Sequence, residues 1–383
     1  MSRQLARLTF RAAAICALAL GLAGCKNLQD LDRTLSGSLP GGEPTLPANR
    51  APAPATAPQA QPGDADYRQG LRYKEGDGVA RDDAAAARFF RRAAEVGHVD
   101  ARFTLALALQ TGRGVPRDEA AALKWYEIAG NAGHREAQFL AGLLYRRGEG
   151  TAADPARAAG WFERAAAQGH AGAHYQLGLA YATGDGVAQD RARAVRHFEI
   201  AGEAGYPEAA QLLGDIYSNG RGVPVDHAWA ARWHGKAAAH GIAPSQYMLG
   251  VGFGSGLGLP REPAAAYFWF LLAAEGGADG AAELRDAVAK RLPPDARARI
   301  EAQARAWTPA TRSVTWDPPT VRFLQVALTD LGYDPGPADG AWGPLTRAAL
   351  AAYARDAKLG GVGEPNAEVM RSLRADRLRR VGS

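Results

Sequence analysis

Imidazole is the side chain most often used to hold a metal or move a proton near neutral pH. Three of the eight histidines in this chain, His98, His134 and His170, stand at one fixed spacing of 36 residues. That regularity argues against a shared site. In a helical repeat of this length equivalent positions lie two helices apart, and neighbouring helices are about 8–10 Å from one another. The three rings are therefore expected in turns, with no metal between them. His197 and His234 replace aromatic rings and are expected to pack. The segment Gly252-Phe253-Gly254-Ser255-Gly256-Leu257-Gly258 invites comparison with a phosphate loop or a nucleophile elbow, but matches neither spacing. The chain contains no Ser-x-x-Lys and no His-Glu-x-x-His, which removes the enzymes built on those signatures. No catalytic residue, metal or cofactor is expected.

The histidines belong to a register that holds through six units. Gly97, Gly133, Gly169, Gly205, Gly241 and Gly277 are evenly spaced, as are Gly76, Gly112, Gly148, Gly184, Gly220 and Gly256. A ring keeps the same beat at Phe89, Trp125, Trp161, His197, Trp233 and Trp269. Such a period denotes a solenoid of helical hairpins, a shape that offers long surfaces to partners. In each unit small and apolar residues at helical spacing mark a first helix, as at Ala173, Leu177, Gly178 and Tyr181. A small residue recurs mid-helix at Gly70, Ala106, Gly142, Gly178, Gly214 and Gly250. Interior Gly costs roughly 1 kcal/mol against Ala, so close approach of a neighbouring helix is expected there. After a Gly-rich loop comes an N-cap at Asp82, Asp118, Asp154, Asp190 and Asp226, with Glu262 in the sixth unit. Pro155 and Pro263 suit the first helical position. The second helix carries a ring pair, such as Trp125-Tyr126 or Trp161-Phe162, expected in the core rather than as a sugar platform. It stops at the Gly97-type position, which suits a left-handed residue. Residues 281–307 lack the loop and read as a helical cap.

The first 24 residues contain Arg3, Arg7 and Arg11 and no acid, followed by an apolar run over residues 12–22. That run is too short to span a bilayer and reads as an export signal. It closes on Leu22-Ala23-Gly24-Cys25, which resembles a bacterial lipobox. The resemblance implies a lipoprotein signal peptide at 1–24 and lipidation at Cys25, with the membrane as a partner through the anchor. Cys16 lies in the removed run, so Cys25 would be the single remaining cysteine. Lys26 resembles an outer-membrane address, so a periplasm-facing lipoprotein of the outer membrane is expected. Residues 25–64 form the lipidated N-terminus and a Pro/Ala-rich linker, too poor in apolar surface to fold. Without the signal the chain holds 42 basic and 40 acidic residues, with no basic stripe interleaved with aromatics, so no nucleic-acid partner is expected. Arg374, Arg377, Arg379 and Arg380 are expected at a solvated helix end, with 376–383 as a basic tail.

The Leu-Gly-x-x-Tyr core, the Gly-x-Gly-Val loop, the ring pair with its following alanines and the Ala-x-x-Gly end resemble the Sel1-like repeats, relatives of the tetratricopeptide repeats. The resemblance implies an all-α chain. A right-handed α-solenoid of about six helical hairpins, with its cap, would cover 65–308 and bind an unidentified protein partner.

Beyond a linker at 309–319, Val321, Leu324, Leu328 and Leu331 mark one helix face. Gly332-Tyr333 ends it, Gly343-Pro344 starts a second helix, and Asn366 opens a third. Residues 320–375 resemble the small three-helix peptidoglycan-binding domain of bacterial wall proteins. Leu324-Gln325, Leu331-Gly332-Tyr333, Pro335-Gly336 and the run Asp339-Gly340-Ala341-Trp342-Gly343-Pro344-Leu345-Thr346 carry the likeness. It implies peptidoglycan as a ligand, with Tyr333, Asp339, Trp342 and Arg347 as contacts. Tyr353 is followed by Ala354, where the family has Gln. The alternative is a three-helix unit that has lost binding, or that merely caps the solenoid. Together these features point to a non-enzymatic envelope adaptor, lipid-anchored at one end and wall-binding at the other. The alternatives are a scaffold lipoprotein of an exopolysaccharide or protein export machine and, third, a peptidoglycan hydrolase or β-lactamase-like enzyme.

Overall fold

The computed structural model describes residues 61–310, 318–338, 340–359 and 366–381. The expected signal segment, Cys25, most of the proline-rich stretch and Asp339 lie outside the described residues. Among the described residues there are seventeen helices and no strand. They divide between Asp190 and Arg191 into two compact bodies.

The first body holds α1 (Asp64–Glu75), α2 (Asp83–Glu95), α3 (Val99–Thr111), α4 (Glu119–Asn131), α5 (Arg135–Arg147), α6 (Pro155–Ala167) and α7 (Ala171–Thr183). Three hairpins, α1/α2, α3/α4 and α5/α6, stack in series, and α7 packs on α6. Every turn is closed the same way. The N–H of Asp82, Asp118 and Asp154 each donates to the carbonyl of the residue nine positions back, Tyr73, Leu109 and Tyr145, at 2.9 Å. The carboxylates of those aspartates then accept from Ala85, Ala121 and Arg157 N–H at 2.8, 2.8 and 3.0 Å. One residue type thus ends the loop and starts the helix, a cap worth about 1 kcal/mol. Pro155 and Pro263 occupy the first helical position, as read from the sequence.

Two glycine series set how close the helices come. Mid-helix Gly70 and Gly142 face Phe90 and Phe162 of their own hairpins, 2.6 Å from where a Cβ would stand. The second loop glycine joins successive hairpins. A Cβ on Gly114, Gly150 or Gly186 would lie 2.0, 2.4 or 2.2 Å from the carbonyl oxygen of Asp83, Glu119 or Pro155, the first residue of the preceding hairpin's second helix. The second member of each ring pair, as at Phe90, Tyr126 and Phe162, is fully buried, whereas Phe89, Trp125 and Trp161 are half-buried.

The second body opens with α8 (Arg191–Glu203). It continues with α9 (Pro207–Asn219) and α10 (His227–Ala239), then α11 (Ala243–Ser255) and α12 (Pro263–Glu275). Helices α13 (Ala281–Ala289) and α14 (Pro294–Ala306) pack on α12. The glycine-dense segment is the end of α11 and its loop. Gly256 caps the helix in the left-handed region, and a Cβ on Gly258 would strike the His227 carbonyl at 2.2 Å. Three further helices, α15 (Pro318–Asp330), α16 (Pro344–Asp356) and α17 (Ala367–Val381), complete this body. Helix α15 packs directly on α10. As a result α10 is buried on almost every side, from Ala228 to Ala238.

Gly150→Ala combines a left-handed φ with a backbone clash and should destabilise the chain by about 2–4 kcal/mol. Gly133→Ala shares the positive φ but has nothing within 4 Å, and should cost only about 1–2 kcal/mol. Urea midpoints of the two variants should fall in that order.

Candidate functional site

The three periodic histidines are helix caps. Nδ1 of His98, His134 and His170 accepts from Ala101, Ala137 and Ala173 N–H at 3.2, 3.1 and 3.1 Å. Nε2 faces Asp64, Asp100 or Glu136 at 3.0, 3.6 or 2.9 Å. Each ring also lies against one from the preceding hairpin, Tyr67, Phe103 or Phe139, with centroids 4.2–4.3 Å apart. Both nitrogens of each imidazole are thus committed, with the proton on Nε2. Sequence reading placed these residues in turns but missed the cap. The signal available was their position immediately before a first helix, with an acid 34 residues earlier in each case. His234 packs on Gly214, and burial pushes its pKa down to about 3. His197 is half-buried. No group of three or more His, Cys, Asp or Glu residues suited to a metal occurs among the described residues.

The C-terminal helices surround a small core of their own: Val321, Leu324 and Leu328 of α15, Leu350 and Tyr353 of α16, and Val369, Met370 and Leu373 of α17. Gln325 is buried and latches the connecting turn. Its Oε1 accepts from Gly340 N–H at 2.9 Å, and its Nε2 donates to Ala341 O at 3.3 Å and Thr346 Oγ1 at 3.2 Å. The Thr346 hydroxyl in turn donates to Pro335 O at 3.0 Å. Gln325, Gly340 and Thr346 therefore hold the turn's shape. Of the expected ligand contacts, Tyr333 is half-buried and its hydroxyl donates to Asp356 Oδ2 at 2.8 Å. Burial and that carboxylate raise its pKa. Trp342 is half-buried on the turn, and Arg347 is exposed on the first turn of α16.

Sequence comparison now places both parts. Six consecutive Sel1 repeat matches cover residues 63–98, 99–134, 135–170, 171–206, 207–242 and 243–277. The chain belongs to the Sel1 repeat family. A peptidoglycan binding domain is matched at residues 317–373. Among solved structures the chain resembles a protective antigen present in uropathogenic Escherichia coli strains that displays an SLR fold. The identity is 28%, with 83% of this chain and 65% of that one covered, at a TM-score of 0.58. It also resembles a Sel1 repeat protein from Oxalobacter formigenes, at 32% identity, with 59% of this chain and 65% of that one covered and a TM-score of 0.54. The chain thus spans about two thirds of the length of each. No curated protein matches it.

The peptidoglycan-binding domain is clamped to the Sel1 hairpins by charge. Arg374 Nε lies 3.2 Å from Asp226 Oδ2, and its guanidinium sits 4.3 Å over the Tyr217 ring. Arg377 reaches Asp226 at 3.6 Å and Asp330 at 2.6 Å. Arg322 meets Glu262 at 2.9 Å and lies 4.9 Å over Phe253. Between these pairs Phe323 meets Trp229 edge-on at 4.8 Å. Two expectations need correction. Arg374 and Arg377 are not at a solvated helix end, because α17 runs on to Val381 and turns both onto α10; Arg379 and Arg380 keep the solvated character. Glu262 stands at the N-cap but makes no cap hydrogen bond. Its longer side chain goes to Arg322 instead.

An open groove of about 710 Å³ lies beside this clamp, lined by Phe268, Trp269, Ile300, Trp307, Gly340 and Ala341 among others. Its rings can stack on a sugar face or an apolar side chain.

Two outcomes are expected. Burial holds His134 below the ordinary imidazole pKa, against the pull of Asp100 and Glu136. Its cap is then at full strength above about pH 6.5, the unfolded value, and is lost as pH falls through the lower folded value. Going from about pH 7.5 to about 5.5 should lower the wild-type Tm more than that of His134→Asn, which caps without titrating. Separately, Arg374→Ala leaves Asp226 buried and should loosen the clamp by about 3 kcal/mol. Tryptophan fluorescence in a urea titration should report that loss, while Arg379→Ala should leave the curve unchanged.

Proposed function

We propose that the chain is a non-enzymatic envelope adaptor. On this reading Cys25 carries the lipid, in the outer membrane and facing the periplasm, and residues 25–64 give reach. The C-terminal domain binds peptidoglycan, and the Sel1 hairpins bind a protein. The observation that supports it most is the pairing of an interaction solenoid with a peptidoglycan-binding domain that is fastened to it by buried charge. A partner held on the hairpins is then brought to the wall at raised effective concentration. Trp342 and Arg347, partly or fully exposed on the turn and the start of α16, are the contacts assigned to the glycan or its peptide, with Asp339 and Tyr333 beside them in the motif. The groove containing Trp269 and Trp307 adds apolar rings within the same body.

Pelleting with purified sacculi tests the reading. Deleting residues from 318 onward would strip the cover from Trp229 and Asp226, so point variants serve better. The soluble chain beginning at Lys26 should pellet. Trp342→Ala with Arg347→Ala should weaken that binding about tenfold, on the order of 1.4 kcal/mol, with unchanged helical circular dichroism. Equal pelleting of wild type and double variant would refute the assigned contacts, and no pelleting of either would refute wall binding.

A further inference from the structure

The clamp uses a feature that belongs to the repeat itself. In each hairpin, loop closure sets the N-cap carboxylate beside the side chain nine residues earlier, on the end of the first helix. In the fifth repeat that pair, Tyr217 and Asp226, holds Arg374. In the sixth the equivalent pair, Phe253 and Glu262, holds Arg322. In the third, Tyr145 and Asp154 hold the repeat's own Arg157, 3.3 Å from the carboxylate and 5.5 Å over the ring. Three times, therefore, a guanidinium lies on the ring and against the carboxylate, combining an ion pair with a cation–π contact.

The first hairpin has the same ring-and-acid pair with no guanidinium on it among the described residues; one face of the Tyr73 ring is stacked on Phe89, 5.5 Å between centroids, and the other is left for a ligand. Tyr73 stands where Tyr217 and Phe253 stand, and Asp82 where Asp226 and Glu262 stand. The position that supplies Arg157 in the third repeat is Ala85 here, as it is Ala265 in the sixth, where Arg322 enters from outside the repeat. Asp82 accepts from Ala85 N–H, and no ion pair to it occurs among the described residues. The neighbouring cations do not close the site: Arg81 and Arg113 both turn to Asp83, and the sixth repeat takes Arg322 although Arg261 precedes its acid. The second hairpin repeats the acid and the alanine, Asp118 and Ala121, with Leu109 in place of the ring.

We propose that the first hairpin is an arginine-reading surface, its Tyr73–Asp82 cradle receiving a guanidinium displayed on a helix of a partner protein. This rests on the reading that the Sel1 hairpins bind a protein and adds the chemistry of that partner. The occupant is inferred from the α17 and α15 arginines, which fill the equivalent cradles of the fifth and sixth repeats from a helical domain.

The test titrates the soluble full chain with a fluorescent synthetic peptide of the α17 sequence, residues 367–381, and with the same peptide carrying lysine for every arginine. Asp82→Asn keeps the cap and removes the charge. It should weaken the arginine peptide about fivefold or more, as should Tyr73→Ala. Asp154→Asn, whose cradle is already filled, should leave binding unchanged. The lysine peptide should bind more weakly than the arginine peptide. Equal affinity for both peptides, or no effect of Asp82→Asn, would overturn the cradle while leaving protein binding elsewhere on the hairpins intact. Concentration-dependent self-association abolished by Asp82→Asn would also overturn it, by making a second copy the occupant. Sacculus pelleting reads the adaptor role independently of either result.

Discussion

Each second helix of this solenoid starts on a carboxylate, and much else follows from that placement. The aspartate N–H closes the loop onto a carbonyl nine residues back, and its side chain caps the helix that begins there. Loop closure and helix initiation are thereby one event. A carboxylate committed to a single backbone N–H keeps spare acceptor capacity, and it is delivered next to the end of the first helix in every unit. The cap that makes the repeat also makes a row of anionic points along it. Asp226 shows how far this can be carried. Its side chain is 3% exposed, it caps α10 by accepting from Trp229 N–H, and it still pairs with Arg374 and Arg377.

That double duty changes the helix behind it. Helix α10 is covered by α15, so positions that face water on an ordinary hairpin are enclosed. Two of its charged residues are paired locally: Arg232 and Lys236 both meet Glu203, and although burial works against it, these two cations hold that carboxylate below its ordinary range. Arg232 also lies between Trp229 and Trp233, 4.6 and 4.5 Å from the two rings. An interface of this kind is specified more by geometry than by apolar area. Buried ion pairs add little net stability, but the loss of one partner is strongly penalised.

On the proposed adaptor reading, rigid attachment matters: a domain fastened by three arginines to the last hairpins presents the surface of those hairpins in a defined relation to its own turn. The latch of Gln325 and Thr346 works to the same end on a smaller scale, holding the turn that carries Trp342 in one shape.

What could be read directly from the chain was set, almost all of it, by near neighbours in sequence. The period, the hairpin boundaries, the left-handed glycines, the prolines at N1 and the aspartate caps depend on hydrogen bonds and sterics spanning a few residues, so a repeated pattern exposes them. Even the identity of the two domains lay in short motifs. The histidine caps were equally local but went unread, because imidazole is seldom thought of as a capping acceptor. Folding in three dimensions decided the rest. Nothing near Arg374 in sequence announces Asp226, 148 residues away. Nor does Glu262 announce that it will leave its helix start for Arg322. Composition specifies that such charges exist. Which of them meet, and which remain for a partner, depends on how helices distant in sequence are packed, because a charge pair needs contact and contact is a property of the assembled fold.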